Sequence, residues 1–238
     1  MKKIFLIAAV VSMMSLGAIA QVNESTAEQK TGSLIIKGGL NLANVSGAPN
    51  GRIDEAHSLK SFVVGIAYDI PLSEAFSIQP GLLYTGKGAK TQLGTEGNAF
   101  YYKATSNPRY LELPVNFLGK IALTQTSSFY IGAGPYVAMG INGKNKVDKS
   151  ILGAPTSTSE DISFSKDDPT TAQEENYAYG KLKKFDYGLN ALAGVEFSRF
   201  TIGANYGYGL VNINSGTDNN SSDKGKNRVW SFTVGLKL

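Results

Sequence analysis

The sequence predicts an all-β fold: an eight-stranded antiparallel up-and-down transmembrane β-barrel with short periplasmic turns and long extracellular loops. Three observations lead there. Apolar and polar residues alternate through most of the chain, which places them on opposite faces of strands. The connectors between these segments are long and short in turn, as in barrels whose long loops all lie on one side of the membrane. The first twenty residues read as an export signal, and no later run is apolar for long enough to make a transmembrane helix. In lipid only helices and closed barrels satisfy every backbone N–H and C=O, so strands are what remains.

The chain divides into a signal peptide over 1–20, a periplasmic lead-in over 21–32 and a barrel domain over 33–238. Lys2 and Lys3 supply the basic start of the signal, Ile4 to Leu16 its apolar run, and Ala18-Ile19-Ala20 the small-residue cleavage site. A membrane-anchoring helix is the alternative, disfavoured because the run is short and ends in small residues.

The clearest strands are the sixth and seventh, in FDYGLNALAGVEF-SR-FTIGANYGYGL from Phe185 to Leu210. One face carries Phe185, Tyr187, Leu189, Ala191, Ala193, Val195 and Phe197, then Phe200, Ile202, Ala204, Tyr206, Tyr208 and Leu210. The other face reads Asp, Gly, Asn, Leu, Gly and Glu, then Thr201, Gly203, Asn205, Gly207 and Gly209. Aromatics at both ends of an apolar face, with small aliphatics between, suit strands that cross lipid in about 9–11 residues.

Taken in order, the first strand is Ser33 to Leu42, with Leu34, Ile36, Leu40 and Leu42 opposite Lys37 and Asn41. A long connector, Ala43 to Leu59, leads to the second strand, Lys60 to Ile70, and Pro71 to Ala75 make a tight turn. The third strand, Phe76 to Gly86, precedes the connector Lys87 to Pro108; the fourth, Arg109 to Gly119, sets Leu111, Leu113, Val115 and Phe117 against Glu112 and Asn116. After a turn from Lys120 to Ser127 comes the fifth strand, Ser128 to Gly140. Ile141 to Lys184 is read as the largest irregular connector, Val211 to Lys226 as a fourth polar one, and Asn227 to Leu238 as the closing strand with Trp230, Phe232, Val234, Leu236 and Leu238 on its greasy face. Pro80, Pro114 and Pro135 fall inside strands, so bulges or missing ladder bonds are expected there.

The sequence has 23 Lys and Arg, 19 Asp and Glu, one His and no Cys; without Lys2 and Lys3 the balance is 21 against 19, a net +2. That near-balance, with no long basic block, gives no reason to invoke nucleic acid. Disulfides and thiolate chemistry are excluded. One His and no Cys also rule out the usual zinc sets. Asp167-Asp168 and Glu174-Glu175 lack EF-hand spacing and read as a solvated acidic loop. The Gly-rich pieces Gly86-Lys87-Gly88 and Gly203 to Gly209 are followed by no helix pattern, so neither is a phosphate cradle. No catalytic, cofactor or metal residues are assigned.

Two constellations are singled out. Lys37, Glu112, Asp186, Glu196 and Lys237 fall on the polar face and form a candidate luminal charge network, with Lys37 expected to pair with Glu112, Asp186 or Glu196. A small-ligand or proton site is one reading of such charges. A salt-bridge plug is the other, favoured because eight strands enclose a space about filled by side chains. Tyr84, Tyr187, Tyr206, Tyr208 and Trp230 form an expected outer aromatic girdle, and Tyr68, Phe76, Phe129, Phe197 and Phe200 an inner one. An ordinary soluble β-core is the alternative for those rings.

GGLNLANVSG (Gly38 to Gly47), FSIQPGLLYTGKGAK (Phe76 to Lys90), YLELPVNF (Tyr110 to Phe117), YIGAGPYV (Tyr130 to Val137), FDYGLNALAGVEF and the closing strand together resemble the PorT-like family of small outer-membrane β-barrel proteins. The resemblance runs through nearly the whole mature chain, in order, and rests on strand patterns rather than catalytic motifs. It implies the barrel fold and, for some members, a part in the secretion or surface attachment of other proteins.

Fold does not fix function. The first functional expectation is a structural or interaction protein in outer-membrane lipid, with a plugged lumen and loops that meet secretion or surface partners. The second is an outer-membrane enzyme using rim His57, with Asp54, Glu55 and Ser58 near it in sequence. The third is a periplasmic ligand-binding barrel, which requires the large apolar residues to point inward around a cavity.

Overall fold

The computed structural model describes residues 32–46, 56–165, 181–213 and 225–238, and every regular element among them is a strand. In chain order these are β1 (Ser33–Ser46), β2 (Ala56–His57), β3 (Leu59–Pro71), β4 (Phe76–Gly86), β5 (Ala89–Leu93), β6 (Phe100–Ala122), β7 (Ser127–Ile151), β8 (Ala154–Asp161), β9 (Ser163–Ser165), β10 (Lys181–Lys183), β11 (Phe185–Phe197), β12 (Phe200–Gly209) and β13 (Lys226–Lys237).

Eight of these close a ring in the order β1-β3-β4-β6-β7-β11-β12-β13, with β13 returning to β1. Every neighbouring pair in the ring is antiparallel. Closure leaves the ring no unpaired edge, which is what a sheet in lipid requires. At one end the strands join by tight turns. Phe197 and Phe200 pair directly across Ser198-Arg199, with Ser198 at φ 47° in the first turn position.

The alternation seen in the sequence maps onto outside and inside. Leu189, Ile202 and Phe232 are 52%, 55% and 51% exposed on the outer surface, whereas Asn190 is 4% exposed within the barrel and accepts from Asn205 Nδ2 at 3.3 Å. Leu40, Val64, Ile66, Val115, Ile131 and Val234 are likewise exposed. A surface this apolar cannot face water as a whole. The outward apolar face overturns the periplasmic ligand-binding barrel, which needed these side chains inside.

The glycines of the polar face have a definite task in β11 and β12. Gly194 and Gly203 pair across the hairpin, and Tyr130 from β7 lays its ring over both, close enough that a Cβ at either would collide with the Tyr130 hydroxyl. Gly203→Val is therefore expected to cost about 1–3 kcal/mol through overpacking. Adding Tyr130→Ala should remove most of that penalty, which a double-mutant cycle by urea titration in micelles would read.

The strand prolines sit beside breaks in the ladders. Pairing lapses between Ala67↔Gly81 and Ile70↔Ile78, between Pro80↔Val115 and Leu83↔Glu112, and between Pro114↔Tyr136 and Phe117↔Ala133. The register is unchanged across each gap. Proline lacks the N–H a rung needs, so single rungs are lost while the strand continues. The one register shift lies elsewhere, between Arg109 and Tyr110.

The connectors at the other end correct the sequence reading. Instead of irregular loops, Phe100–Arg109 and Asn142–Ile151 prolong β6 and β7 as one paired ladder, flanked by β5 on one side and β8 on the other. Leu152 (φ 53°) and Gly153 (φ 81°) make the two-residue turn between β7 and β8. Thus parts of the expected connectors Lys87 to Pro108 and Ile141 to Lys184 are sheet, and the fourth and fifth strands are about twice as long as expected. The alternation used to find strands marks one wet and one dry face. Where the faces are no longer divided between lipid and lumen that signal fades, although Tyr101, Tyr102, Thr105 and Val147 still favour extended backbone.

Candidate functional site

Odd-numbered residues of β1, β3, β4, β12 and β13 and even-numbered residues of β6, β7 and β11 point into the barrel. Apart from Lys37, their charged members gather with neighbouring residues in two clusters, one at each end. At the long-loop end Lys87 Nζ lies 2.8 Å from Glu112 Oε2 and 2.9 Å from Asp186 Oδ2. The same ammonium sits 4.1 Å from the Tyr136 ring centroid and 5.4 Å from that of Tyr110. Asp186 Oδ2 also accepts from Asn227 Nδ2 at 3.0 Å and from the Tyr136 hydroxyl at 3.3 Å. Lys87, Glu112 and Asp186 are all buried.

Lys87 is one step beyond the end of β4, and Gly88 delivers it there. Gly88 has φ +116°, and a Cβ at that position would strike the Ser106 carbonyl and the Pro108 ring, so only glycine fits. The Lys87 N–H donates to the Pro108 carbonyl at 3.0 Å, which pins the bend.

At the short-turn end Lys120 donates to Asp69 and, at 3.0 Å, to Glu196 Oε1. Lys237 Nζ stands farther off, 3.6 Å from Glu196 and 3.9 Å from Asp69, and Ser128 donates to Glu196 at 3.4 Å. Between the clusters lies a cavity of about 50 Å³, lined by Lys37, Gln79, Asn116, Tyr130, Asn190 and Asn205 among others. That volume holds only a few water molecules.

The expected network is thus divided. Glu112 and Asp186 meet at one end, Glu196 and Lys237 at the other. Lys37 pairs with none of the three expected carboxylates but donates to Gln79 Oε1 at 3.2 Å, and this corrects the expected pairing. Lys37 lies between the clusters, where Lys87 and Lys120 already claim the carboxylates. The residues missed were Lys87, Lys120 and Asp69. All three keep the inward parity of their strands: Lys87 follows Gln79 and Thr85, Lys120 follows Glu112 and Asn116, and Asp69 alternates with Tyr68 and Ile70. Continuing the alternation one step past each strand end would have found the two lysines.

The aromatic rows occupy the ends of the outer face. Tyr187, Tyr208 and Trp230 are exposed at the long-loop end, with Tyr84 and Tyr206 half-buried beside them. Tyr206 and Trp230 pair across β12 and β13 with centroids 4.8 Å apart. Tyr68, Phe76, Phe197 and Phe200 are exposed at the short-turn end, with Phe129 half-buried.

Beyond the barrel, the sheet of β5, β6, β7 and β8 places Lys90, Thr105, Lys146 and Ser159 in one cross-strand row, with Lys144 and Lys103 in adjoining rows on the same face. Asp148 accepts from the Ser157 hydroxyl at 2.7 Å and lies 3.0 Å from Lys146 Nζ; these two bonds hold its carboxyl below the usual range. His57 belongs to β2, whose backbone pairs with Lys90; Asp54, Glu55, Asp167, Asp168, Glu174 and Glu175 lie outside the described residues.

No curated protein matches the sequence significantly. Among solved structures, Ail of Yersinia pestis in complex with the heparin analogue sucrose octasulfate is 15% identical, covering 87% of this chain and 99% of its own, with a TM-score of 0.39. Neisserial surface protein A is 13% identical over 88% of this chain and 100% of its own, with a TM-score of 0.37. The translocator domain of the autotransporter NalP from Neisseria meningitidis is 10% identical over 98% and 96%, with a TM-score of 0.30. Likenesses at this level carry no inference about ligand or partner. The sequence itself matches the family described as outer membrane protein beta-barrel domain over residues 20–215. That match spans well over half of the sequence, and the chain belongs to the outer membrane protein β-barrel domain family.

Proposed function

We propose that this outer-membrane barrel has a structural or interaction role: its lumen is plugged by ion pairs, and the sheet at its long-loop end meets partners outside the cell. The observation that carries this is the ladder of β6 and β7, which continues beyond the ring and is widened by β5 and β8, with every residue of β8 exposed. A ring that stops at the membrane surface has no use for such an extension. Binding surfaces gather on elements held out by a rigid scaffold.

The short turns and both ends of the barrel domain would be periplasmic, following the usual orientation of such barrels, with 1–20 removed as a signal peptide on export. The aromatic rows would serve as the girdles at the two interfaces. Similarity to the PorT-like family favours a narrower version, in which the partners belong to a machine for secretion or surface attachment.

The test is co-purification from outer membranes with and without residues 144–161, using heat-modifiable gel mobility to show that both barrels are folded. Loss of a partner on excision is the expected result. An unchanged set of partners would contradict the reading.

A further inference from the structure

The outer surface at the long-loop end carries cations where a lipid-facing surface is expected to be neutral. Arg228 on β13 stacks on Tyr208 of β12, its cross-strand neighbour, with the guanidinium carbon 3.6 Å from the ring centroid. Arg109 on β6 stacks on Phe62 of β3 at 4.7 Å. Both rings are exposed on the outer face. Lys60, also exposed, lies opposite Leu42 on β1, whose other neighbour is Trp230 of β13. Among the described residues none of these three cations has an ion-pair partner. The aromatic row at the short-turn end has no stacked cation among the described residues.

Snorkelling alone would let each side chain extend freely into the headgroups. Arg228 is instead fixed. Its Nη1 donates to the Gly209 carbonyl at 2.7 Å and the Asn227 carbonyl at 2.8 Å, while the Tyr208 ring holds the guanidinium plane. Both bonds use Nη1, so among the described residues the Nη2 and Nε edge has no acceptor and is left for a ligand. A planar fork held in place suits the bidentate capture of a phosphate.

We propose that Arg228, Arg109 and Lys60 form a binding site for a phosphorylated lipid of the leaflet at the long-loop end. The cations lie within one sector of the ring, on β13, β3 and β6 with β1 and β4 between them. At about 4.8 Å per strand, neighbouring cations stand roughly 10 Å apart, a spacing that one multiply phosphorylated headgroup or two adjacent lipids can span. A lipid rather than free phosphate is favoured because Phe62, Trp230 and Phe232, all exposed, continue the same surface toward the acyl region.

The test is native mass spectrometry of the full chain, folded in maltoside micelles doped with dioleoyl phosphatidic acid or dioleoyl phosphatidylcholine. Wild-type protein should retain phosphatidic acid in preference to phosphatidylcholine. R109Q/R228Q should lower phosphatidic acid affinity about tenfold, with heat-modifiable mobility unchanged. R109K/R228K, which keeps charge without the fork, should fall between. Equal retention of the two lipids by the wild type, or of phosphatidic acid by wild type and R109Q/R228Q, would overturn the site. Displacement of the lipid by millimolar inorganic phosphate would overturn its assignment to lipid.

Discussion

Lys87→Met is expected to destabilise the barrel by about 3–5 kcal/mol, read by urea titration of the refolded protein in micelles. The cause is what stays behind. Glu112 and Asp186 would share a buried pocket without the ammonium that joins them, since the remaining partners of Asp186 are the neutral Asn227 and Tyr136. Neutralising all three in Lys87→Met/Glu112→Gln/Asp186→Asn should restore most of the loss, because matched removal of a buried ion cluster is often nearly neutral. A cost below about 0.5 kcal/mol for Lys87→Met, the range typical of plain surface changes, would mean that the three charges are not closely coupled.

Val234→Arg is expected to cost about 2–4 kcal/mol, while Leu238→Arg should cost about 0–1 kcal/mol. Val234 and Leu238 are 63% and 65% exposed on the same strand face, so loss of burial cannot distinguish them. Depth can. Val234 lies midway between Trp230 and the end of the strand, whereas Leu238 lies at the interface. Both variants are compared by folding into liposomes over a urea series. In a barrel surrounded by water the two substitutions would be equally harmless.

Much of this architecture is legible in the sequence because lipid outside and polar groups inside write a strict period of two. The strands Phe76–Gly86 and Phe185–Phe197 have the bounds that the alternation indicates, and the tight turn at Ser198-Arg199 stands where it breaks. Legibility ends where the environment stops being two-faced. The ladder Phe100–Arg109 with Asn142–Ile151 lacks the strict exposed-and-buried alternation of the ring, so Lys103, Lys144 and Lys146 look like loop residues although their backbone is paired. Charge pairing is harder still to read. Parity places Lys37 and Glu112 in the same lumen, but which cation reaches which carboxylate depends on strand stagger and on the bend at Gly88. Lys87 therefore takes the place that Lys37 was expected to fill.

Because the sequence contains no cysteine, single cysteines report without background. The most direct measurement is spin-label accessibility at positions 189, 202, 232, 190 and 205 in liposomes, comparing collisions with oxygen against a water-soluble nickel chelate. Labels replacing Leu189, Ile202 and Phe232 should collide mainly with oxygen, and labels replacing Asn190 and Asn205 should be poorly accessible to it. Oxygen collisions concentrated at 190 and 205, with 189, 202 and 232 shielded, would contradict an outward apolar face and the barrel built on it.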